Sequence, residues 1–149
     1  MHIINFFESQ NKDHWLAQIE KCDWGAGAFL HSLLKENKLQ ELVGKGARVL
    51  LLTNGDELVS FCTLAEIDDV QPTVLTPWIG WIYTSPKHRG HRHCGELLAH
   101  AELLAKNEGA EYTHISTNHV GFYEKYGYEF FADMKDIEGE STRVYRKKL

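Results

Sequence analysis

The sequence contains 149 residues, of which 43% are hydrophobic and 25% are charged, and its formal net charge is −5. This length and composition are typical of one globular domain with a single core, and the negative charge disfavours a nucleic-acid-binding protein, which usually carries a basic face. No run of about 18 apolar residues is present, so we expect no membrane-spanning segment.

The first half of the chain predicts a strand, two helices and a β-hairpin. Residues 3–7 predict a short first strand, and apolar side chains at helical spacing predict two helices that fill most of residues 10–43. Residues 48–53 and 58–64 predict two antiparallel strands, because the Asn-Gly-Asp sequence at 54–56 is a strong signal for a tight turn.

The next part of the chain predicts a strand, a long helix and a second strand. An acidic loop at residues 68–77 precedes residues 78–84, which are apolar on both faces and therefore predict a central strand. The following helix has an apolar stripe and stops at Gly109. Residues 112–117 predict the second strand, which a right-handed crossover would place parallel to strand 78–84.

The last part of the chain predicts a short helix and a hairpin. The helix is expected at residues 120–126 with Gly127 as its cap, and the hairpin strands at residues 128–137 and 142–146. No repeat, linker or low-complexity segment separates the elements. We therefore expect a single mixed α/β domain over residues 1–149.

The cysteines and the N-terminus bear on the cellular location. The three cysteines, at positions 22, 62 and 94, have the spacing of neither a disulfide framework nor a zinc site. Residues 1–5 lack the basic segment and long apolar stretch of a signal peptide. We therefore expect a cytoplasmic protein.

Residues 89–98 combine a basic, glycine-containing turn with the start of a helix. A helix N-terminus leaves about four backbone N–H groups unpaired and carries about half a positive charge. With nearby arginines, these groups form a phosphate-binding arrangement. His88, His91 and His93 lie on or beside this turn, but we expect no metal there because the two arginines repel a cation.

This turn resembles the Arg/Gln-x-x-Gly-x-Gly/Ala signature of the GNAT superfamily of N-acetyltransferases, which use acetyl-CoA. Arg89 takes the first position, whereas Arg92 and Cys94 occupy the positions of the two small residues. We expect a variant cofactor loop, with Arg92 forming the first part of the helix and supplying an extra cation. Cys94 is expected to pack in the core.

A second motif supports the same resemblance. Residues 118–128, Asn-His-Val-Gly-Phe-Tyr-Glu-Lys-Tyr-Gly-Tyr, are similar to the family pattern Asn-x-x-Ala-x-x-Tyr-x-x-x-Gly-Phe. The resemblance implies a GNAT-like α/β (α+β) fold, with a central mixed, mostly antiparallel sheet of six to seven strands and helices on both faces. It also implies that the sheet splays between strands 78–84 and 111–117 to hold the cofactor, and a homodimer is the usual expectation for the family.

The resemblance implies a binding site for acetyl-CoA at the end of the central strand, on the basic turn and in the second motif. The strand would pair its backbone with the pantetheine arm, and the turn would hold the pyrophosphate. The implied cofactor-binding residues are Ile82, Tyr83, Thr84, Arg89, Gly90, His91, Arg92, His93, Cys94, Gly95, Asn118 and Tyr123. Asn118 also fits a plain helix N-cap.

Two catalytic residues are expected. Tyr123 matches the family tyrosine that protonates the departing thiolate, although it also fits a core aromatic residue. The central strand lacks the glutamate that many relatives use as the general base, so Glu66, Asp68 and Asp69 are the candidates, and Glu66 is the first choice. Acidic side chains near the acceptor site would favour a cationic amine.

The expected function is therefore acetyl transfer from acetyl-CoA to a primary amine by direct attack in a ternary complex. The acceptor, a small molecule or a protein amine, would be selected by residues 10–43 and 66–77, where Trp24 either lines the acceptor site or packs in the core. The departures at Arg92 and Cys94 leave a non-catalytic acyl-CoA-binding or regulatory domain as the alternative. A nucleic-acid-binding module that uses residues 87–93 is a third, less favoured hypothesis.

Overall fold

The computed structural model describes residues 1–149 as one seven-stranded sheet with four α-helices. No helix combines the length and the apolar character that crossing a membrane requires. The elements are β1 (His2–Asn5), α1 (Lys12–Glu20), α2 (Gly25–Lys35), α3 (Leu39–Val43), β2 (Arg48–Asn54), β3 (Glu57–Ala65), β4 (Trp78–Thr84), α4 (His93–Asn107), β5 (Tyr112–Thr117), β6 (Glu129–Lys135) and β7 (Ser141–Lys148).

The sheet is mixed and mostly antiparallel, as the family resemblance implied. Its strand order is β1-β2-β3-β4-β5-β7-β6. Every neighbouring pair is antiparallel except β4 and β5, which are parallel and are connected through α4. A parallel connection requires a crossover, and the long amphipathic helix after the basic turn provides it.

Helices cover both faces of the sheet because the central strands are apolar on both sides. Successive side chains of a strand point to opposite faces. Val49 and Leu51 of β2 belong to the core beneath α1, α2 and α3, whereas Leu50 and Leu52 belong to the core beneath α4. Each face therefore buries a separate hydrophobic cluster.

The sheet opens between β4 and β5, where the cofactor was expected. These strands share a single residue pair, Trp78 with His114, and diverge beyond it. On its other side, β4 pairs with β3 through a bulge, in which Trp81 and Ile82 lie opposite Cys62. Trp81 has a φ of 46°, which is uncommon for a bulky residue.

Three local elements differ from the prediction. The first strand ends at Asn5, because its side chain accepts a hydrogen bond from the Phe7 backbone N–H at 3.2 Å and starts a 3-10 turn over Phe6–Glu8. The region 10–43 contains three helices rather than two. The helix expected at 120–126 is a 3-10 turn over Tyr123–Tyr126, since Gly121 adopts a φ of 86° and interrupts the helical path.

Candidate active site

A cavity of about 740 Å³ opens beside the end of β4, between the basic turn and the Tyr123–Tyr126 turn. We call it the donor cavity. Of the residues implied for cofactor binding, nine line it and three do not. The three outside are His91, Gly95 and Asn118, and the nine lining residues are Ile82, Tyr83, Thr84, Arg89, Gly90, Arg92, His93, Cys94 and Tyr123.

The donor cavity carries an excess of positive charge. Arg89, Arg92 and Lys125 line it, whereas Asp23 is its only carboxylate. Arg89 is held at the mouth by two contacts. Its Nε donates to the Thr84 carbonyl at 3.0 Å, and its guanidinium lies 3.8 Å from an Asp23 oxygen. A cavity with this charge and an adjacent helix N-terminus suits a phosphate-bearing ligand.

Arg92 differs from the expectation that it would form the first part of the helix. It is the N-cap of α4 and adopts the left-handed conformation, with φ 60° and ψ 28°. This conformation costs a non-glycine residue about 1–2 kcal/mol. The guanidinium of Arg92 lies 5.2 Å from the centre of the Tyr126 ring, a cation–π contact that offsets part of this cost.

Gly95 contributes through packing rather than by lining the donor cavity. A Cβ at this position would lie 2.7 Å from the Tyr126 ring, so only glycine lets α4 approach this aromatic side chain closely. Cys94 is buried next to it, and burial raises the pKa of its thiol to about 12. The thiol therefore packs in the core, as expected, and its raised pKa keeps it in the protonated, weakly nucleophilic form at neutral pH.

Sequence reasoning missed Asp23 on the loop between α1 and α2. Its carboxylate accepts a hydrogen bond from the Tyr83 hydroxyl at 2.5 Å, and this bond lowers the pKa of Asp23. Trp24 stacks on the Tyr83 ring, with ring centres 5.7 Å apart. These contacts join the helical layer to β4. No sequence motif near residue 23 predicts them.

A second cavity, of about 380 Å³, occupies the opening between β4 and β5. We call it the acceptor cavity. Four carboxylates line it and no lysine or arginine does, so its charge is opposite to that of the donor cavity. The four acidic residues are Asp68, Asp69, Asp136 and Glu138.

Asp68 is the most perturbed carboxyl group of the acceptor cavity. Its Oδ1 atom is buried and has no hydrogen-bond partner. Burial, with a smaller contribution from the negative charge of Asp69, raises the pKa of Asp68 to about 7. A Cβ at Gly80 of β4 would overlap this Oδ1 atom, so the glycine lets the carboxyl group reach the central strand.

Asp69 lies next to Asp68 and is half-buried, with its Oδ1 atom enclosed. Burial raises the pKa of Asp69, the nearby Ser116 hydroxyl partly opposes this increase, and the negative charge of Asp136 adds to it. The backbone N–H of Ile137 donates to the Asp69 carbonyl at 2.8 Å, which holds the turn between β6 and β7 against the loop that follows β3. This contact brings the carboxylates of two distant segments into one cavity.

Aromatic side chains form another wall of the acceptor cavity. Trp81 is fixed by a hydrogen bond from its Nε1 to the Ala26 carbonyl at 2.7 Å, and its ring lies 6.2 Å from that of Phe29. Trp24 lines both cavities and also packs against the core beneath α1, α2 and α3, so its position is compatible with both of its proposed roles.

Tyr123 lies at the junction of the two cavities. It lines both of them, together with Trp24, Ile82 and His119. Its side chain is buried, and burial raises the pKa of its hydroxyl well above the usual value, so the group is protonated at neutral pH. The junction between the basic and the acidic cavity therefore holds a neutral hydroxyl group that can donate a hydrogen bond.

Glu66 lies elsewhere. Its side chain packs beside Gly44, at the end of α3, and lines neither cavity. Asp68 and Asp69, the other two acids proposed from sequence, both line the acceptor cavity. The geometry therefore gives no support to Glu66 as the general base. Asp68, with its raised pKa, is the better candidate.

Comparison with known proteins identifies the family. A model of the acetyltransferase (GNAT) domain matches residues 45–130, which is more than half of the chain. The chain therefore belongs to the GNAT acetyltransferase family, and the resemblance inferred from the two motifs is confirmed. A comparison with curated proteins finds no significant sequence match.

Solved structures of similar fold cover nearly the whole chain. An acetyltransferase from Streptococcus agalactiae is 21% identical, with a TM-score of 0.70 over 99% of this chain and 98% of that one. An aminoglycoside 6′-N-acetyltransferase from Enterococcus faecium is 14% identical, with a TM-score of 0.71 over 99% and 97%. An aminoglycoside 6′-N-acetyltransferase complexed with coenzyme A is 14% identical, with a TM-score of 0.70 over 99% and 97%. At these identities the likeness establishes the fold.

Proposed function

We propose that this acetyltransferase takes the acetyl group of acetyl-CoA and transfers it directly to a primary amine while both substrates are bound. The observation that carries the proposal is the pair of cavities with opposite charge that meet at Tyr123. A polyanionic donor and a cationic acceptor would each enter the cavity that attracts it. Holding both reactants together supplies much of the rate gain of such enzymes.

The residues of the donor cavity fit CoA. Arg89, Arg92 and the N-terminus of α4 would hold the pyrophosphate, with Lys125 close by. The free edge of β4 beside the opening would bind the pantetheine arm as an added strand does. When bound, acetyl-CoA supplies an activated acetyl thioester at the end of that arm.

Asp68 is the proposed general base. An alkyl amine has a pKa of about 10 and is mostly protonated at neutral pH, so a proton must leave before nitrogen attacks. A carboxyl group with a pKa of about 7 accepts a proton far more readily than an ordinary aspartate does. Asp69, beside it, would keep the local potential negative.

Tyr123 is the proposed general acid. As the amine nitrogen bonds to the acetyl carbon and the carbon–sulfur bond breaks, Asp68 accepts the proton of the nitrogen and Tyr123 supplies one to the sulfur. Backbone N–H groups near the bulge at Trp81 and Ile82 would polarise the thioester carbonyl. The ammonium nitrogen loses two protons in all. Asp68 takes the first before attack and releases it to solvent; the second, which Asp68 takes as the amide forms, replaces the proton that Tyr123 gives to the sulfur. The products are therefore an acetamide, a free thiol and one released proton.

Incubation with acetyl-CoA and a panel of primary amines tests this proposal. Free thiol and acetylated amine are measured in the same samples, by a thiol reagent and by mass spectrometry. We expect both products to form in equal amounts. If acetyl-CoA binds but no amine in a broad panel is acetylated, the proposal is wrong and the chain is an acyl-CoA-binding domain.

A further inference from the structure

We propose that the acceptor is an organic dication, namely a primary amine joined by a short apolar chain to a second ammonium or guanidinium group. This inference rests on the proposed function, because it assigns the substrate class of the same site. One positive charge would meet Asp68 and lose its proton before attack. The other would stay protonated against Asp136, at the turn between β6 and β7.

The first argument is the uncompensated charge of the acceptor cavity. Its four carboxylates form no ion pair with a lysine, arginine or histidine of this chain. Asp69 raises the pKa of Asp68, and Asp136 raises that of Asp69, so the three groups repel one another. Asp68 and Asp69 each enclose a carboxylate oxygen, and burying a charge without a partner is costly, so one positive charge beside them would relieve this cost. A second positive charge would offset the negative charges of Asp136 and of the exposed Glu138.

The second argument comes from buried atoms that lack partners. Oδ1 of Asp68 and Oδ1 of Asp69 are both buried without a hydrogen bond. Unpaired polar atoms of this kind are rare in folded proteins and call for an explanation. An ammonium group, which carries up to three N–H donors, would satisfy such atoms directly.

The third argument is the orientation of Asp136. Its Oδ1 atom accepts the backbone N–H groups of Glu138 and Glu140, both at 2.9 Å, and this fixes the carboxylate on its turn. Oδ2 accepts no hydrogen bond from the protein. A rigid carboxylate with one free oxygen at the edge of the cavity suits a second cationic group.

The aromatic wall argues for an organic cation over a metal ion. No three histidine, cysteine or acidic side chains come close enough to hold a metal ion. Trp81 is held in place, and Phe29 is 49% exposed although it is a large apolar residue. Aromatic faces attract ammonium groups and cover an alkyl or aryl chain.

A substrate series with matched chain lengths tests the inference. It compares α,ω-diamines, monoamines and ω-amino acids, all at saturating acetyl-CoA, by their kcat/KM values. One charge-assisted contact contributes about 1.5–3 kcal/mol, and each 1.4 kcal/mol is a factor of ten. We therefore expect diamines to exceed monoamines by about tenfold to a hundredfold, and ω-amino acids to be the poorest acceptors.

The variant Asp136→Asn examines the second cation. Asparagine keeps Oδ1, so the turn retains its hydrogen bonds while the charge is lost. The ratio of diamine to monoamine kcat/KM should fall by about tenfold. Asp133→Asn, on the exposed surface of β6 outside both cavities, is the matched control and should keep the ratio. Glu138→Gln, also in the cavity, provides a second variant if Asp136→Asn is unstable.

The outcomes separate this inference from the proposed function. Acetylation of diamines and monoamines with equal kcat/KM would overturn the dication inference and leave the acetyltransferase activity intact. Acetylation of no amine would instead refute the proposed function. Short peptides with two lysines are a further arm of the series: preference for them over single-lysine peptides and free diamines would support the dication chemistry and assign it to a protein acceptor.

Discussion

At the scale of single residues, the hydroxyl of Tyr123, which lines both cavities, is the proposed proton donor to the leaving sulfur. Tyr123→Phe removes the hydroxyl and keeps the ring that packs against Tyr128 and Phe122. General acid–base catalysis contributes about 10²–10⁴-fold, so kcat should fall by about a hundredfold or more while the Kd of acetyl-CoA changes little. Steady-state kinetics and calorimetry measure the two quantities.

Tyr112→Phe is the control for this change, because Tyr112 lies on β5 and lines neither cavity. It should retain the wild-type kcat. A Tyr123→Phe enzyme with unchanged kcat would show that the tyrosine serves packing alone.

Gly80 is needed because its missing side chain leaves room for the Asp68 carboxyl group, not because its backbone requires glycine. Gly80→Ala places a methyl group where Oδ1 of Asp68 lies, so the carboxyl group must move. A displacement of about 1 Å in a catalytic group can cost about a hundredfold in rate, and kcat/KM should fall by about tenfold to a hundredfold. Gly46→Ala is the matched control, since a Cβ there meets no atom within 4 Å; equal kinetics for the two variants would contradict the proposed position of Asp68.

At the scale of elements, the turn between β4 and α4 carries Arg89 and Arg92, two of the three lysine and arginine residues of the donor cavity. Removing two charge-assisted contacts of about 1.5–3 kcal/mol each in the variant Arg89→Ala/Arg92→Ala should weaken acetyl-CoA binding by about a hundredfold or more. Isothermal titration measures this change. The variant Lys106→Ala/Lys148→Ala also removes two positive charges, from exposed positions outside both cavities, and should bind normally. Equal loss in both variants would mean that net charge alone controls binding.

The sequence predicted those elements whose determinants are local. Strand β4, the basic turn and α4 follow from an apolar run, a glycine-containing turn and helical periodicity within about 30 residues. The helix predicted at residues 120–126 was longer than the observed turn over Tyr123–Tyr126, because the backbone conformation of Gly121 depends on its tertiary surroundings. Likewise, the left-handed conformation of Arg92 could not be read from a residue type that normally avoids it.

The sequence limits the candidates for the general base to three acidic residues but does not identify which of them lies in the acceptor cavity. Glu66, Asp68 and Asp69 lie within four positions, and only the path of the chain after β3 decides which carboxyl group meets Gly80. Asp136 comes from a turn that is distant in sequence and is brought there by the hydrogen bond between Ile137 and Asp69. Such contacts depend on tertiary structure, so periodicity and motifs do not reveal them.

At the scale of the whole molecule, the ionised Asp68 carboxylate in the acceptor cavity should lower the free energy of unfolding at neutral pH. The pKa of Asp68 is about 7 in the folded protein, against about 3.9 for an ordinary aspartate. The folded state therefore holds this proton more tightly than the unfolded state. Stability falls as the pH rises from about 4 to about 7, and the loss is complete above that range.

Asp68→Asn should remove this pH-dependent loss. The variant should become more stable than the wild type between about pH 4 and pH 7, and the difference should then stay constant. The gain in unfolding free energy is at most about 4 kcal/mol, and it appears as a higher Tm. Thermal melts across this range measure it, and Asp133→Asn, whose carboxylate is exposed, should show no such trend. A Tm difference for Asp68→Asn that does not vary with pH would contradict the assigned ionisation.

The most direct test of the account is the pH dependence of kcat/KM for amine acetylation in the wild type and in Asp68→Asn. We predict that the wild-type value rises with an apparent pKa near 7, as Asp68 becomes able to accept a proton. The variant should be slower by about a hundredfold or more, lack this step, and bind acetyl-CoA normally by calorimetry. A variant that retains both the rate and the step near pH 7 would show that another group takes the proton.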